Sequence, residues 1–321
     1  MTTKLTDPRF TDEQKAREHL EALRWPEGPF CPHCGSFKAT RMPAVRGKPS
    51  KRNPEGKLRH GIIQCNDCRQ QYSVTVGTLF EDSKVPLNLW LLCNHLLVSS
   101  KKGISAHQIH RMLGVTYKTA WFMCHRIRAA MEMPATPMGG GGCTIEADET
   151  YFGKDKTAAP SRTPIRTMNK IVSLIDRSTG EARSFVVTDQ LNSETIAHIL
   201  YTNVHRNSML MTDEAKHYIR PGVEFAAHYS VNHAEKEYVR YGNPDVTTNT
   251  IEGFFGIFKR GMRGVYQHCG QQHLQRYVTE FDFRYSHRVA CGYDDEDRAT
   301  ASLLGIAGKR LTYRRTCGAE A

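Results

Sequence analysis

The chain has 321 residues, 39% of them hydrophobic, with 44 Lys and Arg against 33 Asp and Glu and a formal net charge of +11. That length allows two or three domains, with one sizeable core beside smaller modules, and excludes a short disulfide-stapled peptide. The longest apolar run, LNLWLLCNHLLV, is broken by Asn94 and His95 well short of the roughly 20 residues a membrane span needs, so a soluble protein with no membrane partner is expected.

The basic excess suits a polyanionic partner such as nucleic acid, and taken alone fits a merely solubilising surface equally well. The opening MTTKLTDPRF lacks the apolar core and small-residue cleavage site of a secretory signal. A cytoplasmic protein is expected, its ten cysteines reduced or metal-bound.

In chain order, an N-terminal segment, 1–24, precedes two Cys-x-x-Cys pairs, CPHC at 31–34 and CNDC at 65–68. Tetrahedral zinc takes four thiolate or imidazole ligands, and two short loops that each give an adjacent pair build such a site. Cys31, Cys34, Cys65 and Cys68 are therefore the expected ligands of a structural Zn²⁺ in a ribbon over 25–83. A thioredoxin-like redox pair accounts for one such motif but not for two. Between the pairs, KATRMPAVRGKPSKRNPEGKLRH has Glu55 as its only acid and reads as a long basic loop, suited to phosphate contact or to plain solvation.

QQYSVTVGTLF then alternates like a strand, and PLNLWLLCNHLLVSS has the spacing of a helix with a buried face. In ISAHQIHRMLGVTYKTAWFMCHRIRAAM, Gly114 separates two helical patterns, with Ser105 and Thr116 placed as N-caps. This predicts a helix-turn-helix-like DNA-binding domain over 84–132. Its second helix would bring Tyr117, Lys118, Arg126 and Arg128 to bases or phosphates, with Trp121, Phe122 and Ile127 packed inward. A plain αα hairpin has the same outline, and Lys101-Lys102 favours DNA. MPATPMGGGGC, 133–143, then reads as a linker.

Beyond it strands come first. TIEADETYFG, KIVSLIDRSTG and EARSFVV predict a meander, NSETIAHILYTNV a helix capped by Asn192 or Ser193, and NSMLMTDEA a strand ending in Asp213 and Glu214, which together imply a mixed sheet. After the polar connection HAEKEYVRYGNPDV, NTIEGFFGIFKRGMRG opens a helix with Ile251, Phe254, Phe255, Phe258 and Met262 on one side. Glu252, Gly256, Lys259 and Arg263 form the stripe beside them.

Acids at Asp148, Asp213 and Glu252 could converge at one sheet edge and hold hard divalent cations. Two such ions about 4 Å apart activate an attacking oxygen and stabilise the leaving one in phosphodiester chemistry. The same residues also fit a helix cap at Asn249-x-x-Glu252 and an Asp148–arginine pair. Alternation puts Glu146 on the face of Asp148 and Glu149 on the other, so spacing leaves Glu146 open as the alternative acid. Gly256 fits close approach of DNA or close packing against a strand.

DETYFG at 148–153, TDEAKHY at 212–218 and NTIEGFFGIFKRGMRGVYQHC at 249–269, followed by HLQRYVTEFDFRYSHR, resemble the DDE transposases of bacterial insertion sequences, in the ISXO-like branch with an N-terminal zinc ribbon. CPHCG, CNDC, SVTVGTLFEDS and an LTYRR tail fall in the expected order, so the resemblance runs from Trp25 to Arg315. It implies an α/β (α+β) multidomain fold: zinc ribbon, helix-turn-helix-like helical domain, a ribonuclease-H-like mixed-sheet catalytic core over 144–290, and a basic C-terminal tail, 291–321.

The resemblance further implies Asp148, Asp213 and Glu252 as catalytic acids binding two Mg²⁺ or Mn²⁺ ions, with Lys259 as an accessory catalytic residue; it alone selects Asp148 over Glu146 and Glu149. Lys259, Arg260 and Arg263 would then reach DNA phosphates. The implied activity is that of a transposase: it binds the terminal inverted repeats of an insertion sequence, hydrolyses a phosphodiester there and transfers the strand to double-stranded target DNA. A homodimer or larger assembly on DNA, at the nucleoid of the bacterial cytoplasm, is expected. One departure stands out: many relatives carry a His shortly before the Asn of the third motif, where this chain has Thr247 and Thr248 before Asn249. The alternatives are a non-catalytic zinc-ribbon and helix-turn-helix regulator derived from a transposase, and a metal-dependent nuclease with another DNA substrate.

Overall fold

The computed structural model describes residues 4–47, 49, 51, 54–56, 58–133, 136–235 and 237–312. Five positions of the expected basic loop (48, 50, 52, 53 and 57), two of the expected linker (134 and 135) and the expected tail from 313 lie outside them. The chain forms two compact units, one from 1–99, 106–130 and 295–321, the other from 100–105 and 131–294.

In the first unit, Asp12 ends α1 (Pro8–Thr11) and caps α2 (Glu13–Arg24), its carboxylate accepting from the Lys15 N–H at 2.8 Å. Five short strands follow: β1 (Ala39–Arg41), β2 (Val45–Arg46), β3 (Leu58–Arg59), β4 (Ile63–Cys65) and β5 (Gln71–Tyr72). β1, β4 and β5 make an antiparallel ribbon in that order, and β2 pairs with β3. The expected strand QQYSVTVGTLF stops at Tyr72. Beyond it, serine and threonine turns take over, with Val76 N–H on Ser73 O and Thr78 Oγ1 on Thr75 O.

α3 (Leu87–Ser99) is apolar nearly all round and is buried accordingly, from Leu87, Trp90 and Leu91 to Leu97 and Val98. Its one buried amide, Asn94, donates to Ala299 O and accepts from Ser302 Oγ, both on a helix spanning Asp295–Leu304. α4 (Ala106–Leu113) and α5 (Tyr117–Ala130) flank Gly114, whose φ of +66° is the left-handed turn expected between them. Thr116 Oγ1 caps α5 by accepting from the Thr119 N–H.

The second unit is built on β6 (Thr144–Lys154), β7 (Met168–Asp176) and β8 (Ala182–Val187), then α6 (Ser193–Asn203), β9 (Met209–Thr212), α7 (Lys216–Gly222), β10 (Ala227–Ser230), α8 (Asn249–Gly261) and α9 (Leu274–Ser286). The helix at Asp295–Leu304, in the first unit, is then α10. The sheet order is β10-β9-β6-β7-β8, antiparallel through the β6-β7-β8 meander and parallel from β6 to β9 to β10. That is the ribonuclease-H-like mixed sheet implied by the resemblance.

Period-two alternation sends side chains to two cores. Ile145, Ala147, Val172, Leu174 and Leu210 meet Ile196, Ile199 and Leu200 of α6 and Tyr218 of α7. Ile171, Ile175 and Ala182 meet Ile251, Phe254, Phe255 and Phe258 of α8 and Tyr277, Val278 and Phe281 of α9. The apolar side of α8 is the one its sequence spacing predicts. Its consequence is that Glu252, at the first turn of α8, is carried on the sheet face that β6 presents through Glu146 and Asp148.

Candidate functional site

The two Cys-x-x-Cys loops form matching knuckles. Gly35 N–H donates to Cys31 O and Arg69 N–H to Cys65 O, and both residues are left-handed, at φ +75° and +62°. The His33 and Cys68 amides point at the sulfurs of Cys31 and Cys65. All four Sγ atoms lie within 4.8 Å of one another, with Cys31–Cys68 and Cys34–Cys65 each at 3.6 Å. Tetrahedral zinc with Zn–S bonds near 2.3 Å requires an S–S separation of about 3.8 Å, so the donor set fits the ion. The amide of Cys68 heads the causes that lower the Cys65 thiol to about 7, favouring the thiolate that binds metal.

In the second unit, β9 pairs with β6 only along Thr144–Glu146. Past that point no strand among the described residues pairs with β6 on that side, and Asp148, Glu149 and Asp213 meet there, their carboxylate oxygens within 4.8 Å of one another. Alternation does turn Glu149 towards α7, where it accepts from Tyr218 Oη at 2.9 Å and lies 3.2 Å from His217 Nε2. It still reaches the two aspartates because no strand stands between. Faces can be read from a sequence; the point where a neighbouring strand ends cannot.

Crowding of like charge marks this site. Burial, then Asp213 and Glu149, push the Asp148 carboxyl up to about 8, and Glu252 adds to the effect. Burial also raises Asp213. A divalent cation among oxygen ligands relieves such crowding, and the donor set suits a hard ion.

Glu252 stands outside the 4.8 Å group. Its Oε1 is 3.1 Å from His233 Nε2 and accepts from Thr248 Oγ1 at 3.3 Å. His233 is fixed in turn by Glu214, which accepts from the His233 and Ala234 N–H groups at 2.9 and 3.3 Å. The residue after Asp213 thus holds the histidine that holds Glu252. No sequence signal pointed to His233.

Glu146 shares the face of Asp148 but is fully buried and already engaged. It pairs with Arg177 Nε at 2.6 Å and accepts from the Ile251 N–H of α8 at 2.8 Å. Arg177 also donates to the carbonyls of Asp245 and Thr247, just ahead of α8. Its neighbours make Glu146 the brace between β6 and α8.

Lys259 lies part-buried along the stripe from Glu252; burial and then Arg263 lower its pKa, against the pull of Asp148. Arg260 and Arg263 are exposed. In the first unit, Lys118 is exposed in the opening turn of α5, beside Tyr117, which stacks on His107 at 4.2 Å. Arg126 donates to Leu79 O at 2.7 Å and Leu311 O at 3.1 Å and lies over the Phe122 ring, and Arg128 is buried. In this arrangement neither of those two guanidiniums is presented to a phosphate.

Residues 139–286 match the family model of the ISXO2-like transposase domain, and residues 11–71 match that of the transposase zinc-ribbon domain. A relative from Halobacterium salinarum, described as an uncharacterized protein in transposable element ISH50, is 25% identical over 298 residues, 86% of this chain and 91% of that protein. A chain of the simian T-cell lymphotropic virus intasome in complex with PP2A regulatory subunit B56 gamma is similar at 14% identity with a TM-score of 0.28. That match covers 54% of this chain and 63% of the other, under two thirds of its length. Among the described residues no helix is long and apolar enough to cross a membrane.

Proposed function

Because the chain belongs to the ISXO2-like transposases, we propose that it binds the terminal inverted repeats of its insertion sequence, cleaves DNA at those ends and joins them to target DNA. The observation that supports this reading most directly is the meeting of Asp148 and Asp213 where β6 runs past the end of β9, with Glu252 on the adjoining helix.

Asp148, Asp213 and Glu252 would hold two Mg²⁺ or Mn²⁺ ions, which supply Lewis acidity to the attacked phosphate and lower the pKa of the attacking water. The chain's own groups position the substrate. Lys259, about two turns along α8 from Glu252, and Arg263, in the π-helical turn that follows α8, reach phosphates flanking the scissile bond. His233, 3.1 Å from Glu252 Oε1, would hold that carboxylate in place. Lys118 at the start of α5 contacts the end sequence, the four-cysteine ribbon carries structural Zn²⁺, and pairing of two ends calls for a dimer or larger assembly on DNA.

The test is cleavage and joining of the inverted repeats that flank the gene, by purified protein with Mg²⁺ or Mn²⁺, beside Asp213→Asn. End-specific joining lost in the variant supports the reading. Tight end binding without metal-dependent cleavage by either protein overturns catalysis and leaves the regulator; cleavage indifferent to the repeats leaves a nuclease.

A further inference from the structure

α8 carries three glycines, and the structure gives them different reasons. A Cβ on Gly261 would lie 2.5 Å from Phe281 Cζ and 2.8 Å from Lys102 O, so internal packing requires glycine there. A Cβ on Gly253 would meet nothing within 4 Å, and one on Gly256 only Arg260 Nη2 at 3.7 Å. Glycine in mid-helix costs stability relative to alanine, and nothing inside the unit compensates at these two positions.

Gly253 lies in a groove of about 600 Å³ whose walls include Lys101, Lys102, Asn249, Ile257 and Arg260. The dilysine is not a loose surface pair. Ser100 and Gly103 close a tight turn around it, with Gly103 N–H on Ser100 O at 3.1 Å and Ser100 Oγ on Gly103 O at 2.6 Å. Gly103, at φ +91°, has no room for a side chain against Tyr266 and Arg284, and Gly261 lets the Lys102 carbonyl close on α8. The turn is pinned to the helix, and both lysines are exposed at its two central positions. Among the described residues no ion pair engages Lys101, Lys102 or Arg260; the only bond of Arg260 is from Nε to Gly256 O at 2.9 Å.

The stripe Asn249, Gly253, Ile257 and Arg260 is centred about 90° round the helix from Glu252, Gly256 and Lys259. We propose that this groove is a second phosphate track: the sugar-phosphate backbone of duplex DNA lies against bare helix at Gly253, between Lys101 and Lys102 on one side and Arg260 on the other. Charge complementarity selects the occupant, since three fixed cations with no carboxylate partner face a groove that a polyanion can enter. The inference rests on the transposase reading and extends it to DNA lying beside the catalytic stripe.

The experiment measures the affinity of the full-length protein for an end-containing duplex across a salt series, for the parent, Lys101→Ala/Lys102→Ala and Gly253→Glu. The paired alanine variant should lower the slope of log K against log salt by about 2, close to one for each phosphate contact removed. Gly253→Glu should bind at least roughly tenfold more weakly through the negative charge it places against the phosphates while melting no lower than the parent, since glutamate suits a helix and finds open space. Should Gly253→Glu fail to fold, the alanine pair, confined to an exposed turn, decides. Unchanged slope and affinity in a protein that still cleaves ends in an Asp213-dependent way overturn the track and leave the transposase reading; a parent that binds no DNA overturns both.

Discussion

The carboxylate of Glu146 accepts the backbone N–H of Ile251 at 2.8 Å, across 105 residues of sequence, while pairing with Arg177 at 2.6 Å. One buried group therefore fixes the first turn of α8, and with it Glu252, to the strand that carries Asp148. Glu146→Ala leaves the Arg177 guanidinium without its partner and should cost about 3–5 kcal/mol, as expected when one member of a buried ion pair is removed. Glu146→Gln keeps an acceptor for Ile251 and should cost less. Chemical denaturation of the two variants checks the order.

Asp148 gives a pH dependence of defined sign. Its carboxyl is raised from 3.8 to about 8, so the folded chain keeps a proton that the unfolded chain releases. Stability of the metal-free protein should therefore fall as pH rises from about 4 to about 8 and level off above. Asp282, buried on Ser184 and raised to about 7, adds a fall of the same sign ending near that pH. Melting temperatures against pH should flatten below 7 in Asp282→Asn and up to 8 in Asp148→Asn, which should be more stable than the parent at pH 8 without metal.

Divalent-cation affinity should run the opposite way. Binding displaces the proton held by Asp148, so affinity for Mn²⁺ should rise about tenfold per pH unit until about pH 8. Calorimetry in buffers of different ionisation enthalpy should show close to one proton released below that pH.

Replacing His233 by alanine should leave the fold intact and free the Glu252 carboxylate. Residues that orient a metal ligand typically matter about 10–100-fold in metal affinity or activity. The expected result is a loss of that size in end cleavage, with the metal concentration for half-activity raised and end binding unchanged.

Chelation of the four-cysteine site should release one Zn²⁺ per chain and unfold the ribbon, since a structural zinc supplies on the order of 10 kcal/mol to a small domain. Zinc content and melting of the Cys31→Ser variant should report the same loss.

Local spacing made much of this molecule legible. The cysteine pairs, the Gly114 turn with its Thr116 cap, the meander and the apolar side of α8 all follow from residues near one another in sequence. The acidic site was half legible: Asp148 and Asp213 end up together, whereas the inclusion of Glu149 depends on β9 stopping short beside β6. His233, Arg177 and the brace role of Glu146 depend on contacts 15 to 105 residues apart and leave no periodic trace. The inward course of Arg126 follows from carbonyls at Leu79 and Leu311, 47 and 185 residues away in the chain.

Order of synthesis acquires a meaning from α10. That helix is translated only after the whole second unit, yet it belongs to the first, where Ala299 and Ser302 satisfy the buried amide of Asn94. The first unit is thus completed only after the second has been made. Until α10 arrives, α3 lacks one of the helices that pack on it while the residues of the ribonuclease-H-like sheet have already been made, so completion of the first unit waits on synthesis of the whole second unit.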